Sequence, residues 1–249
     1  MNFEERKNLL AGKKQSHILD FYDQLNDEEK HILLSQIDAI DWDFQQAFQN
    51  KDHPSSDTEI EEIDALHIQQ IIAQKDTFQA IGLDAIREGK LCLLLLAGGQ
   101  GTRLGFDKPK GCFNIGIHKK LYIFELLIAH TLEVVHAANA WIPLYIMTSN
   151  INYKDTVNFF EEHNYFGYRA EYVHFFVQEL NPATDLDGKI LLKSKYELAL
   201  SPNGNGGWFS SMHKAGLLDT IFESNLEWIN VFSVDNVLQR IADPVFLGA

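Results

Sequence analysis

Cysteine is scarce in this chain, and the two present, Cys92 and Cys112, stand twenty positions apart with no CxxC pair. That spacing argues against a disulfide framework and against a zinc site, and it points to a reducing, cytoplasmic setting. Long apolar runs are also missing. The longest, Leu91 to Ala97, falls far short of the roughly 20 residues a bilayer-spanning helix needs, and the start Met1-Asn2-Phe3-Glu4-Glu5-Arg6 lacks the apolar centre of a signal peptide. No membrane partner is expected. Positive charge is in deficit, with 21 Lys and Arg against 35 Asp and Glu, a formal net charge of −14. A polyanion could be held only by a local basic patch working against the overall field, so nucleic acid is not expected as a partner. The ten histidines show no metal-ligand spacing, and no Gly-x-Ser-x-Gly arrangement of a nucleophilic hydrolase appears. There is no internal repeat and no low-complexity segment.

What remains is ample apolar material. At 249 residues and 45% apolar content the chain can bury a sizeable core as one large or two modest domains. Residues 1–90 read as a helical N-terminal region. Ile18, Leu19, Tyr22 and Leu25 fall on one helical face, as do Leu33, Leu34, Ile37 and Ile40. Asn26 with Glu29 has the pattern of a capping box, in which the asparagine oxygen accepts a first-turn amide and the glutamate reaches back. Asn50 to Asp57, with Pro54-Ser55-Ser56, reads as a loop, and Thr58 with Glu61 as a further cap. The acidic cluster Glu59, Glu61, Glu62 and Asp64 is most simply a solvated first turn favoured by the helix dipole.

From residue 91 the period changes. Leu91-Cys92-Leu93-Leu94-Leu95-Leu96 is a short continuous apolar run, as expected of a strand buried on both faces of a parallel sheet. Helical spacing over Phe124 to Val135, a strand over Ile142 to Thr148, a helix over Asp155 to Glu162 and a strand over Tyr172 to Val177 continue the alternation. Asp187-Gly188 predicts a tight hairpin turn with Lys195 to Leu200 running on from its return arm, and Val231 to Val234 is a strand ending at Asp235-Asn236. Residues 91–249 therefore read as an α/β, Rossmann-like core with a mostly parallel sheet.

The loop after the first strand is Ala97-Gly98-Gly99-Gln100-Gly101-Thr102-Arg103-Leu104-Gly105. Its glycines let the backbone approach a ligand closely and aim successive amides at an anion, and Arg103 adds a guanidinium able to grip phosphate bidentately. In open α/β sheets ligands sit at the carboxyl ends of strands, where this loop falls. Phosphate is the natural anion; a glycine-rich turn without ligand is the bland alternative. The dinucleotide fingerprint G-x-G-x-x-G fails by one position, because 104 is leucine, which argues against an NAD-dependent oxidoreductase. The Walker pattern fails because no Gly-Lys-Ser or Gly-Lys-Thr follows. Next come Asp107-Lys108-Pro109-Lys110-Gly111, where the proline stiffens a loop that could turn Lys110 back toward the glycines.

The segment Leu95 to Gly111 resembles the nucleotide-binding signature of the UDP-sugar pyrophosphorylases, and Gly-Gln-Gly-Thr-Arg-Leu-Gly is most similar to their UDP-N-acetylglucosamine branch. The resemblance continues through Met147-Thr148-Ser149, Phe175-Phe176-Val177-Gln178 with Pro182-Ala183, Pro202 to Gly207, and Val234-Asp235-Asn236 with Ala242-Asp243-Pro244, and it extends to the helices between Gln15 and Asp41. It implies a nucleotidyltransferase joining UTP to a sugar 1-phosphate, with N-acetylglucosamine 1-phosphate favoured and glucose 1-phosphate the other candidate. Ala97, Gly98, Gly99, Gly101, Thr102 and Arg103 would lie on the UTP phosphates with Lys110, while Gln178 and Gly204 would meet the uracil edge. Asn205 would face the sugar, and Asp235 would hold Mg2+. The chemistry agrees, because uracil needs a neutral donor-acceptor group and a hard cation bridging phosphates prefers a carboxylate. By residue type alone Gln178 is equally a polar strand residue, Asn203 to Gly207 a long turn and Asp235 a helix cap.

The sequence departs from the family pattern at Asn181, usually apolar before Pro182-Ala183, and at Asn203, where aspartate is common; both bear on sugar preference. Family members continue well beyond the position of Ala249 and carry there a further phosphate-contacting lysine and much of the sugar pocket. The alternative reading is thus a non-catalytic fragment that binds UTP or a UDP-sugar without releasing pyrophosphate.

Overall fold

The computed structural model describes residues 1–43, 45 and 63–249. The loop expected at Asn50 to Asp57, the cap at Thr58 and Glu61, and all of the acidic cluster except the exposed Asp64 lie outside these residues. The chain forms two compact units, Met1–Glu62 with Leu180–Asn203, and Ile63–Glu179 with Gly204–Ala249.

In the first unit, α1 (Phe3–Gly12) and α2 (Asp27–Asp38) are each started by a capping box, at Asn2 with Glu5 and at Asn26 with Glu29. The Asn26 box matches the sequence pattern, with the Glu29 amide donating to Asn26 Oδ1 at 2.9 Å and the Asn26 amide to Glu29 Oε2 at 2.9 Å. The helical face expected over Ile18 to Leu25 is a correction. That stretch folds as two 3-10 turns, Ser16–Leu19 and Tyr22–Gln24, though Ile18 and Leu25 are still buried. The turns keep short-range backbone bonds, and the side chains of Gln15 and His17 bond chain far away in sequence. Gln15 Nε2 donates to the Gly188 carbonyl at 2.8 Å, the Ile190 amide donates to Gln15 Oε1 at 2.9 Å, and the His17 ring lies 2.7 Å from the Ile190 carbonyl. The predicted turn at Asp187-Gly188 is present with Gly188 at φ 79°, held by the Asp187 and Lys189 amides donating to Asp185 Oδ1. Beside it β4 (Leu180–Pro182) and β5 (Leu200–Pro202) pair antiparallel. Leu10, Ile18, Leu33, Ile37, Ile190 and Leu198 form the unit's core.

The second unit opens with α3 (Ile68–Ala73) and α4 (Lys75–Arg87). Its sheet contains β1 (Leu91–Leu96), β2 (Leu144–Thr148), β3 (Val173–Val177) and β6 (Trp228–Ser233) in the order β3-β2-β1-β6, every pair parallel. The expected strands are found with small shifts of their ends. Both faces are covered, and strand alternation sorts the side chains. Leu91, Leu93, Leu95, Leu144 and Ile146 enter one core with Phe124, Leu127 and Ile128 of α5 (Ile123–Ala138) and Phe160 of α6 (Tyr153–Glu162). Cys92, Leu94, Tyr145 and Met147 enter the other with Met212 of α7 (Trp208–Lys214) and Leu218 and Ile221 of α8 (Leu217–Phe222). Each fully buried leucine contributes on the order of 2 kcal/mol. Both cysteine thiols are free and buried, and burial pushes each up to about 12, so neither is a thiolate near neutral pH. The last helix, α9 (Pro244–Gly248), lies so close to α4 that a Cβ on Gly82 would come within 1.9 Å of the Pro244 carbonyl oxygen.

Four parallel strands deliver their carboxyl ends to one edge of the sheet. The order places β2 and β3 on one side of β1 and β6 on the other, so the chain reverses direction across the sheet between β1 and β6. That switch point is where open sheets leave a crevice for a ligand.

Candidate active site

The segments leaving β1, β3 and β6 carry every sequence-predicted site residue except Gly204 and Asn205, which sit just before α7. Ala97 is 2% exposed and continues β1, its amide donating to the Met147 carbonyl at 2.8 Å. The loop then turns outward: Gly99, Thr102, Arg103, Leu104 and Gly105 are exposed, and Thr102–Leu104 forms a 3-10 turn closed by Gly105 at φ 66°. It is tied to the returning chain, with the Gly101 amide donating to the Lys108 carbonyl at 3.0 Å and the Lys110 amide to the Gly99 carbonyl at 3.1 Å. Lys110 thus comes back to the glycines through its main chain, while its side-chain ammonium reaches across to bond the Asp235 carboxylate beyond β6.

The glycines serve different ends. A Cβ on Gly101 would come within 2.8 Å of Phe106, and one on Gly111 within 2.2 Å of the buried Phe124 ring, so packing alone excludes a side chain at both. Gly99 has open space around it, and a Cβ on Gly98 would come within 3.1 Å of Gln178 Oε1. Gly98 and Gly99 are therefore where the backbone itself is presented.

Gln178 follows β3 and is only 7% exposed. Its amide donates to the Thr148 carbonyl at 2.7 Å, and its side-chain Nε2 donates to the Gly204 carbonyl at 2.6 Å. A carbonyl only accepts, so the Gly204 contact fixes the amide orientation and turns Oε1 toward Gly98. Gly204 has φ 82°, a backbone conformation that favours glycine. Ala97, Gly98, Gln178 and Gly204 are thereby gathered into one cluster, and Gly99, Lys110 and Asp235 into a second beside it. Arg103 and Asn205 are exposed and join neither cluster through a hydrogen bond or ion pair among the described residues.

Asp235 is exposed, with its amide donating to Ser233 Oγ at 3.2 Å. Among the described residues no group of three or more His, Cys, Asp or Glu could hold a metal ion. The Asp235 carboxylate, paired with Lys110, is the group that could serve a cation such as Mg2+, which keeps several waters and is bound through one or two carboxylates and substrate phosphates.

Asn152 was not singled out by the sequence reading. It is completely buried at the start of α6, and its side chain donates to the Ala97 carbonyl at 3.1 Å and the Gly99 carbonyl at 3.3 Å. Only its place three residues after Ser149, in the Met147-Thr148-Ser149 stretch, offered a signal.

Among the described residues no helix is long and apolar enough to cross a membrane. The chain is similar to UDP-N-acetylglucosamine pyrophosphorylase of Saccharomyces cerevisiae, 34% identical over 98% of this chain and 55% of that protein. It is similar also to UDP-N-acetylglucosamine diphosphorylase 2 of Arabidopsis thaliana, 32% identical over 94% of this chain and 50% of the relative. The chain spans about half the length of the curated relatives it matches. Among solved structures, the uridine diphosphate N-acetylglucosamine pyrophosphorylase of Trypanosoma brucei in complex with inhibitor matches with a TM-score of 0.78 at 29% identity, over 100% of this chain and 55% of that one. The family model described as UTP--glucose-1-phosphate uridylyltransferase matches residues 41–249, and the chain belongs to that family.

Proposed function

We propose that this chain carries the UTP site of a uridylyltransferase that forms a UDP-sugar and pyrophosphate from UTP and a sugar 1-phosphate, N-acetylglucosamine 1-phosphate before glucose 1-phosphate. The observation that carries the reading is the fixed amide of Gln178. With Nε2 held by the Gly204 carbonyl, Oε1 is left as an acceptor beside Gly98. Uracil presents a hydrogen on its ring N3 and cytosine presents a lone pair there, so an immobilised acceptor favours uracil. Phosphates extending from a base at Gln178 would run along the amides of Gly98 to Gln100 toward Arg103 and Lys110.

The reaction needs no general base, because the attacking sugar 1-phosphate oxygen is already anionic. That oxygen bonds to the α-phosphorus of UTP as the bond to the departing pyrophosphate breaks, and the protein's contribution is positioning and charge neutralisation. Arg103 and Lys110 would supply positive charge, Asn205 would face the sugar, and Asp235 with phosphate oxygens and water would hold Mg2+, which neutralises charge on the triphosphate. The Lys110–Asp235 pair must part for both roles to operate, and a triphosphate with its cation offers each partner a replacement counter-charge.

Pyrophosphate release from UTP, Mg2+ and a panel of sugar 1-phosphates tests the reading, with UTP binding measured alongside. Release with an N-acetylhexosamine 1-phosphate is the expected result. UTP binding without release from any sugar phosphate would restrict this chain to nucleotide binding, and failure to bind UTP would remove the proposal.

A further inference from the structure

The glycine loop has the composition to cradle phosphate, but flexible glycines alone do not keep amides pointed outward. Something must orient the peptide planes, and the structure supplies a side chain for it. Asn152 has no solvent exposure and is bonded through both ends of its amide. Its Oδ1 accepts the Ser149 amide at 2.8 Å, while its own backbone amide donates to Ser149 Oγ at 3.3 Å, locking it to the end of β2. Its Nδ2 then donates to the carbonyls of Ala97 and Gly99, 55 and 53 residues away in sequence.

The geometry points to Asn152 as the positioning residue of the phosphate loop. No cis peptide bond occurs among the described residues, so in each planar peptide of the loop the carbonyl and the amide hydrogen point in opposite directions. Drawing the Ala97 carbonyl inward sends the Gly98 amide outward, and drawing the Gly99 carbonyl inward sends the Gln100 amide outward. One side chain therefore sets two alternate peptide planes in the same sense, and the amides of Gly98, Gly99 and Gln100 donate to no acceptor among the described residues. Asn152 never meets the ligand. It acts through the loop, and it shares the end of β2 with the Thr148 carbonyl that receives the Gln178 amide, so base and phosphate subsites are referenced to one strand end.

This inference rests on the UTP reading above, and its test separates the two. UTP, CTP and uridine are titrated by calorimetry with Mg2+ onto the unaltered chain, Asn152→Ala and Asn152→Thr, with melting temperatures recorded for each. Asn152→Thr leaves a hydroxyl able to donate one hydrogen bond on a residue type favoured at helix starts, which guards against a variant that fails to fold. The expected result is a loss of UTP and CTP affinity of about tenfold or more in Asn152→Ala, the cost of freeing the Ala97–Gly98 peptide plane and loosening the Gly99–Gln100 plane, which then keeps only the Lys110 amide, with a smaller loss in Asn152→Thr. Uridine affinity and the preference for UTP over CTP should not move, since Gln178 is untouched; general destabilisation would not spare them. Equal UTP affinity in all three proteins overturns the role of Asn152 while leaving the UTP site standing. No UTP binding by the unaltered chain overturns both.

Discussion

The two compact units are held together by different means. In the unit of Ile63–Glu179 and Gly204–Ala249, a sheet buried on both faces fixes the backbone by packing, to the point that Gly111 leaves no room for a methyl group beside Phe124. In the unit of Met1–Glu62 and Leu180–Asn203, a small apolar core is supplemented by polar side chains that bond backbone groups: two capping boxes, Gln15 and His17 on the hairpin, and Gln36 Oε1 accepting the Leu198 amide at 2.9 Å. The candidate site lies within the first named of these units, mostly just beyond strand ends whose positions packing has already decided. A phosphate loop needs that kind of support, because its own residues are too small to pack.

The comparison can be broken or sharpened by substitution. The largest effect is expected at Gly111→Ala, where the new methyl would lie 2.2 Å from the Phe124 ring. Phe124 is completely buried, so overpacking should cost about 3 kcal/mol in urea denaturation, the upper part of the usual range; a cost under about 1 kcal/mol would mean this core can yield. Gln15→Ala comes next. It removes the acceptor of the buried Ile190 amide and a donor to the Gly188 carbonyl, for an expected loss of about 2 kcal/mol and faster hydrogen exchange at Ile190. Unchanged exchange there would show that the hairpin does not depend on this side chain. Asn26→Ala should cost about 1 kcal/mol, the ordinary worth of a helix cap, and a neutral result would leave α2 held by its apolar face alone.

The smallest effect is electrostatic. The hydrogen bond from Arg6 holds the Asp38 carboxyl below its ordinary 3.8, with their charge attraction adding to it. Because the folded value is the lower one, the stabilisation is fully present above the unfolded value and is lost as pH falls through the folded one. The gap in urea midpoint between the unaltered chain and Arg6→Met should therefore be small at neutral pH, shrink with added salt, and close below pH 3.8. A gap that widens in acid would contradict the pairing.

How much of this was legible in the sequence follows the same division. The run Leu91 to Leu96 announced β1 because a doubly buried parallel strand leaves no other pattern, and the helical spacing from Phe124 announced α5. The glycine loop could be placed at a strand end for the same reason. The 3-10 turns at Ser16–Leu19 and Tyr22–Gln24 could not, because their backbone is set by bonds from Gln15 and His17 to Gly188 and Ile190, over 170 positions away. Asn152 was nearly hidden for the same reason: its spacing from Ser149 is its one local mark, and its loop partners Ala97 and Gly99 lie more than 50 positions away. The three successive left-handed residues Asn164, Tyr165 and Phe166 were equally unreadable; aromatic packing on Phe159, Phe160 and His163 accompanies a backbone that side-chain-bearing residues seldom adopt. The glycines between 98 and 111 carry one letter but several reasons, steric at Gly101 and Gly111 and conformational at Gly105, which the sequence alone does not separate.

The central claim is that the strand-end crevice is a uridine nucleotide site whose base is read by the fixed oxygen of Gln178. Calorimetric titration of the chain with UTP and with CTP, each with Mg2+, tests it most directly, alongside Gln178→Ala. The account predicts that UTP binds more tightly than CTP by about tenfold or more and that Gln178→Ala removes most of the difference. Equal affinity for the two nucleotides in the unaltered chain, or a preference that survives Gln178→Ala, would contradict it.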